Sequence, residues 1–66
     1  MKTYTILART LSNPNNIRKV TEVRCKNSGE ARQWAMANVW QTLGEEQMIV
    51  ASPTQLAKWK ENYTIA

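Results

Sequence analysis

Residues Thr3 to Leu11, TYTILARTL, alternate between two sides, with Tyr4, Ile6 and Ala8 on one and Thr3, Thr5, Leu7, Arg9 and Leu11 on the other. Both sides carry apolar weight. The run is also rich in β-branched residues, which predicts a strand in the middle of a sheet rather than at its edge. Ser12-Asn13-Pro14-Asn15-Asn16 follows, where proline presets φ and the asparagines favour a turn, so the chain is expected to reverse. From Ile17 to Lys26 the alternation resumes. Ile17, Thr21, Val23 and Cys25 share a face with Lys19, and Arg18, Val20, Glu22, Arg24 and Lys26 share the other. The first face is expected to be core and the second wet.

At Asn27 the period changes from two to that of a helix, over NSGEARQWAMANVWQTL as far as Leu43. Asn27 is placed to cap the first turn, Glu30 three residues later to return a bond to it, and Gly44 to stop the helix in the left-handed conformation. On a helical wheel Ala31, Ala35, Met36, Val39, Thr42 and Leu43 gather on one side, and the small alanines allow close approach to a sheet. Trp34 and Trp40 fall on opposite shoulders of that stripe. Trp40, near the helix exit, is the one expected to be exposed.

Gln47 to Ala51, QMIVA, suits a short third strand. A right-handed crossover through the helix places it on the far side of the first strand, giving the order 2-1-3. Ser52-Pro53-Thr54-Gln55 is a second capping box, and Leu56, Trp59 and Tyr63 follow at helical spacing. A helix this short needs a surface to dock on, and Leu7, Leu11 and Val20 are the expected receivers, with Trp59 the anchor. The prediction is one α+β domain over residues 1–66, in the order ββαβα. It has a three-stranded antiparallel sheet, one main helix on one face and a short C-terminal helix.

Composition narrows what this fold can do. A domain of 66 residues buries only about 60% of its unfolded surface, so its core is thin and leaves room for a homodimer or another partner. It has no His, no Asp and one Cys, which removes the usual zinc ligands and the usual general base near neutral pH. Cys25 is expected to be a small buried hydrophobe. Gly29 and Gly44 both have helix-end roles, so no phosphate cradle is present. The chain is therefore expected to be no enzyme and to carry no cofactor and no metal. No apolar run approaches the roughly 20 residues that span a bilayer, and MKTYTILARTL lacks a signal-peptide core, so the expectation is a cytoplasmic protein with no membrane contact.

Charge is what points to a partner. The net charge is +4, and residues 1–26 hold Lys2, Arg9, Arg18, Lys19, Arg24 and Lys26 against Glu22 alone, a local +5, with −1 for the remainder. Taken singly, each cation has a plain role as a solvated, edge-protecting side chain. As a set they favour encounter with anionic surfaces. Three tryptophans without any phenylalanine add the residue type most enriched at interface hot spots.

A hairpin, a helix reading GEARQWAMANVWQ and a short third strand resemble small phage-encoded proteins that block host machinery. These include some type I anti-CRISPR proteins and inhibitors of host RNA polymerase or of toxins. The likeness covers roughly Thr3 to Ala51 and rests on size, element order and the Ala-rich helix carrying Gln33-Trp34-Ala35. It implies a stoichiometric inhibitor that binds a host defence or transcription complex. Two features depart from it: several such inhibitors are acidic nucleic-acid mimics whereas this chain is basic, and the Ser52 to Tyr63 helix is an addition.

The expected partner is an acidic or nucleic-acid-binding surface of a host protein complex, and a nucleic acid itself is the alternative. Arg9, Arg18, Val20, Arg24, Lys26 and Trp40 are the expected contact residues. Of these, Arg9, Arg18, Arg24 and Lys26 are expected to project together from the wet face of the hairpin.

Overall fold

The computed structural model describes residues 1–66 and has the strands β1 (Lys2–Thr10), β2 (Ile17–Cys25) and β3 (Glu46–Ala51) and the helices α1 (Ser28–Asn38) and α2 (Pro53–Asn62). The sheet is antiparallel throughout, in the order β2-β1-β3. No helix is long and apolar enough to cross a membrane.

β1 is the central strand because both of its faces are covered. Tyr4, Ile6 and Ala8 lie on one side and Thr5 and Leu7 on the other, and all five are buried. On the α1 side Tyr4 packs with Cys25 and Ala31, and Ile6 packs with Ala35 and Val39. On the α2 side Leu7, Ile17 and Ala51 form a third cluster, closed by Ile49, Leu56, Trp59, Tyr63 and Ile65. The alanines of α1 are what let the helix lie close to the sheet.

A register shift in the β1–β2 ladder between Ile6 and Leu7 changes which residues of β2 face which helix: Thr21 pairs with Ile6 but Lys19 with Leu7, leaving Val20 as the extra residue. Past the shift the alternation is inverted. Ile17, expected under the main helix, packs on the α2 side, and Val20, expected under α2, packs on the α1 side. Leu11 also fails to receive α2. It lies beyond the end of β1, donates its N–H to the Glu45 carbonyl and stays 61% exposed.

α1 is shorter than its sequence period. Asn27 Oδ1 accepts the Glu30 N–H at 2.8 Å, so the start is where the capping residue puts it, although Glu30 makes no return bond. The end comes at Asn38, whose side-chain amide donates to the Trp34 carbonyl, and the chain then tightens into a 3-10 turn over Trp40–Thr42. Thr42 Oγ1 donates to the Val39 carbonyl at 2.7 Å. These side-chain bonds add to the backbone bonds at the helix exit, where the Val39 carbonyl also accepts the Thr42 N–H. Gly44 is therefore not the stop signal: no glycine has positive φ, and space around Gly44 is open. Met36, expected in the apolar stripe, lies within α1 but is 46% exposed.

α2 begins with both bonds of its capping box, Ser52 Oγ accepting from the Gln55 N–H and Gln55 Oε1 from the Ser52 N–H. After Tyr63 the chain returns to the outer edge of β2. Ile65 bridges Ile17 in the parallel sense, Lys19 N–H donates to the Ala66 carbonyl and Ala66 N–H to the Ile17 carbonyl. A two-residue stitch thereby closes part of one sheet edge.

Candidate basic interface

The cations expected on one face are distributed over two. β2 is inverted beyond its register shift, so Arg18, opposite Ala8, projects to the α1 side, whereas Arg9 and Arg24 project to the α2 side. The single four-residue patch expected from strict alternation does not form. The bulge at Val20 is the reason.

Arg18 is fully engaged. Its Nε and Nη2 donate to Glu46 Oε2 and Oε1, each at 3.0 Å, in a two-point pair between the two outer strands. The hydrogen bond from Arg18 holds the Glu46 carboxyl below the ordinary carboxylate range. The same bond to Glu46 raises the Arg18 guanidinium.

Arg9 is also occupied. Its Nε donates to the Pro14 carbonyl at 2.9 Å, and its guanidinium lies 5.6 Å from the Trp59 ring centroid and 5.5 Å from that of Tyr63. The two rings are 5.2 Å apart and tilted by 34°. Arg9 therefore joins the hairpin turn to α2 through a cation–π stack.

Arg24 and Lys26 are exposed and in no ion pair, and Lys2 joins them at the same end of the hairpin, because Lys2 pairs with Cys25 and Thr3 with Arg24. The only two salt bridges in the protein are Arg18–Glu46 and Lys19–Glu22. In the second, the hydrogen bond from Lys19 is the main reason the Glu22 carboxyl titrates low, with a smaller contribution from the charge of Lys60. Lys60 thus brings α2 into the electrostatics of the hairpin. The sequence reading did not single it out, because only the packed fold shows which way α2 crosses.

Of the two remaining contact candidates, Val20 is half-buried in the Ile6–Ala35–Val39 cluster and has little surface to offer. Trp40 is 54% exposed in the 3-10 turn, against 38% for Trp34, and Trp59 is half-buried in the core beneath α2. Two shallow cavities flank the Arg9 stack. One of about 240 Å³ is lined by Gln55, Lys58, Trp59, Asn62 and Tyr63, and one of about 290 Å³ by Arg9, Thr10, Leu11, Pro14 and Gln47. No group of three His, Cys, Asp or Glu side chains is close enough to hold a metal ion, and Cys25 is a buried free thiol.

Comparisons with protein-family models, with curated proteins and with solved structures find no match to this chain.

Proposed function

We propose that this is a non-catalytic binding protein that docks the basic end of its hairpin, formed by Lys2, Arg24 and Lys26, on an acidic surface of a host protein complex. In this reading it acts in the cytoplasm as a stoichiometric inhibitor of phage or mobile-element origin, as its likeness to small phage-encoded inhibitors implies. One observation carries the reading. Arg18 and Lys19 are neutralised within the fold, whereas Lys2, Arg24 and Lys26 sit at one end of the hairpin without an acidic partner, Arg24 projecting to the α2 side and Lys2 to the α1 side. A free arginine there offers bidentate contacts to carboxylates, and the lysines add charge without fixing geometry. The test is affinity capture from host lysate, with and without nuclease. A defined protein retained after nuclease supports the reading, and loss of all capture contradicts it.

A second reading, a nucleic-acid-binding module, is favoured by the Arg9–Trp59–Tyr63 stack, which lies on the same side of the sheet as Lys19 and Arg24. Aromatic rings among cations are what unpaired bases stack on. Salt separates the two, since phosphate binding gives a steep log–log salt slope from counterion release and a protein interface with buried anchors a shallower one.

A further inference from the structure

Arg9 is held in place without being used up. Its Nε donates to the Pro14 carbonyl, and its guanidinium lies over the Trp59 and Tyr63 rings, so both ends of the group are fixed. Its two terminal nitrogens make no hydrogen bond and no ion pair within the fold. A guanidinium ordered in this way has already given up side-chain freedom, which makes it a prepared donor to an anion.

The surroundings of Arg9 define the anion that fits. The cavity of about 240 Å³ on α2 is walled by Trp59 and Tyr63 but not by Arg9, so the rings present a surface there that the guanidinium leaves open. Lys58 lines the same cavity and has no acidic partner. The same wall carries one free acceptor and one free donor. Asn62 Nδ2 donates to the Lys58 carbonyl, which leaves Asn62 Oδ1 unpaired, and Gln55 Oε1 accepts the Ser52 N–H, which leaves the Gln55 amide nitrogen unpaired.

We infer that this cavity binds one unpaired nucleotide of a single-stranded nucleic acid, with the base against Trp59 and Tyr63, its edge on Gln55 and Asn62, and the flanking phosphates on Arg9 and Lys58. The inference rests on the nucleic-acid reading above and gives it a site away from Lys2, Arg24 and Lys26. An aromatic platform takes a base by its flat face, and only an unpaired base exposes that face, so a duplex does not fit. A carboxylate would engage Arg9 and Lys58 but leave the rings and both amides idle. A nucleotide uses them all. The adjoining cavity of about 290 Å³, lined by Arg9, Thr10 and Pro14 among others, continues the groove past Arg9 and gives the next nucleotide room.

The wider charge distribution favours the same face. Within the strands and helices, the side of the sheet that carries α2 holds Arg9, Lys19, Arg24, Lys58 and Lys60 against Glu22 and Glu61. On the other side Lys2, Arg18 and Arg32 stand against Glu30 and Glu46. The larger positive excess lies on the face with the cavity, which steers a polyanion towards it.

NMR titration with a short mixed-sequence single-stranded DNA tests the site. The Trp59 indole N–H and the side-chain amides of Gln55 and Asn62 are expected to shift together, and the matching duplex is expected to shift them far less. Tyr63→Leu keeps an apolar side chain over the core but removes a ring, and should weaken single-strand binding about 5- to 150-fold, the range of one base-stacking contact. Lys58→Gln, at an exposed position outside the core clusters, should make the log–log salt slope shallower by about 0.7. Both variants are checked for wild-type amide signals at Ile6 and Leu7, and Lys58→Gln keeps the test decisive if Tyr63→Leu is unfolded. Shifts confined to Lys2, Arg24 and Lys26 would overturn the site and leave the nucleic-acid reading standing, whereas no binding at all would overturn both. Duplex DNA or a polyglutamate peptide that shifts the Trp59, Gln55 and Asn62 signals as strongly as the single strand would also overturn the inference.

Discussion

Arg18 on β2 and Glu46 on β3 reach diagonally across the central strand to each other, from the position opposite Ala8 to the one opposite Thr10, making two hydrogen bonds of 3.0 Å. Neighbouring strands stand about 4.8 Å apart, so the two outer strands are about 10 Å apart here, and only two long side chains meeting between them span that gap. The pair ties both edges of the sheet together.

The acid limb of stability should report this pair. The Glu46 carboxyl is depressed below its ordinary value of 4.5, so its contribution is fully present above that value and is lost as pH falls through the lower folded value. Carboxylate titration followed by NMR should give Glu46 a midpoint below 4.5 in wild type, moving up towards 4.5 in Arg18→Gln. A Glu46 midpoint unaffected by Arg18→Gln would show that the pair does not form in solution.

Arg18→Glu should lower the denaturation midpoint, because it places a second carboxylate against Glu46. Arg24→Glu with Lys26→Glu should leave unfolding within about 0.5 kcal/mol of wild type, as exposed substitutions generally do. Strict alternation would have grouped Arg18 with Arg24. Denaturant melts of the two variants separate a structural arginine from free ones.

Trp59→Ala should cost about 2–3 kcal/mol, somewhat less than for a fully buried tryptophan because part of the ring remains in solvent. The loss removes the roof over Leu7 and Ile17 and the surface on which Arg9 stacks. An unchanged midpoint in urea would mean that α2 is not docked.

The C-terminal stitch should be visible in amide exchange. Lys19 N–H donates to the Ala66 carbonyl at 2.8 Å, and the half-buried Ile65 side chain helps hold that segment in place. Ile65→Ala should speed exchange at Lys19 while leaving Ile6, in the centre of β1, protected. Equal acceleration at both sites would indicate global destabilisation instead.

Strand order and both helix starts were legible in the sequence, because Asn27, Ser52 and Gln55 are local signals and the two apolar sides of β1 mark a central strand. The helix end was not. Gly44 offered a familiar stop, but Asn38 and Thr42 bond to carbonyls first, and such competition depends on side-chain geometry rather than on residue type. The register shift at Val20 was equally hidden, since a bulge leaves the alternating pattern intact and changes only which half of it faces which helix. That one residue moved Ile17 and Val20 between cores and separated Arg18 from Arg24. The stitch at Ile65 joins residues far apart in sequence, and an isolated bridge of this kind has no local signature.

The most direct measurement for the proposed function is quantitative capture of host proteins from nuclease-treated lysate by wild type, by Arg24→Glu with Lys26→Glu, and by Trp40→Ala, all checked to be folded. The account predicts that wild type and Trp40→Ala retain the same defined partner and that the double charge reversal loses it. Retention at the wild-type level by the charge-reversed protein, with loss in Trp40→Ala, would contradict it and move the interface to the 3-10 turn that carries Trp40.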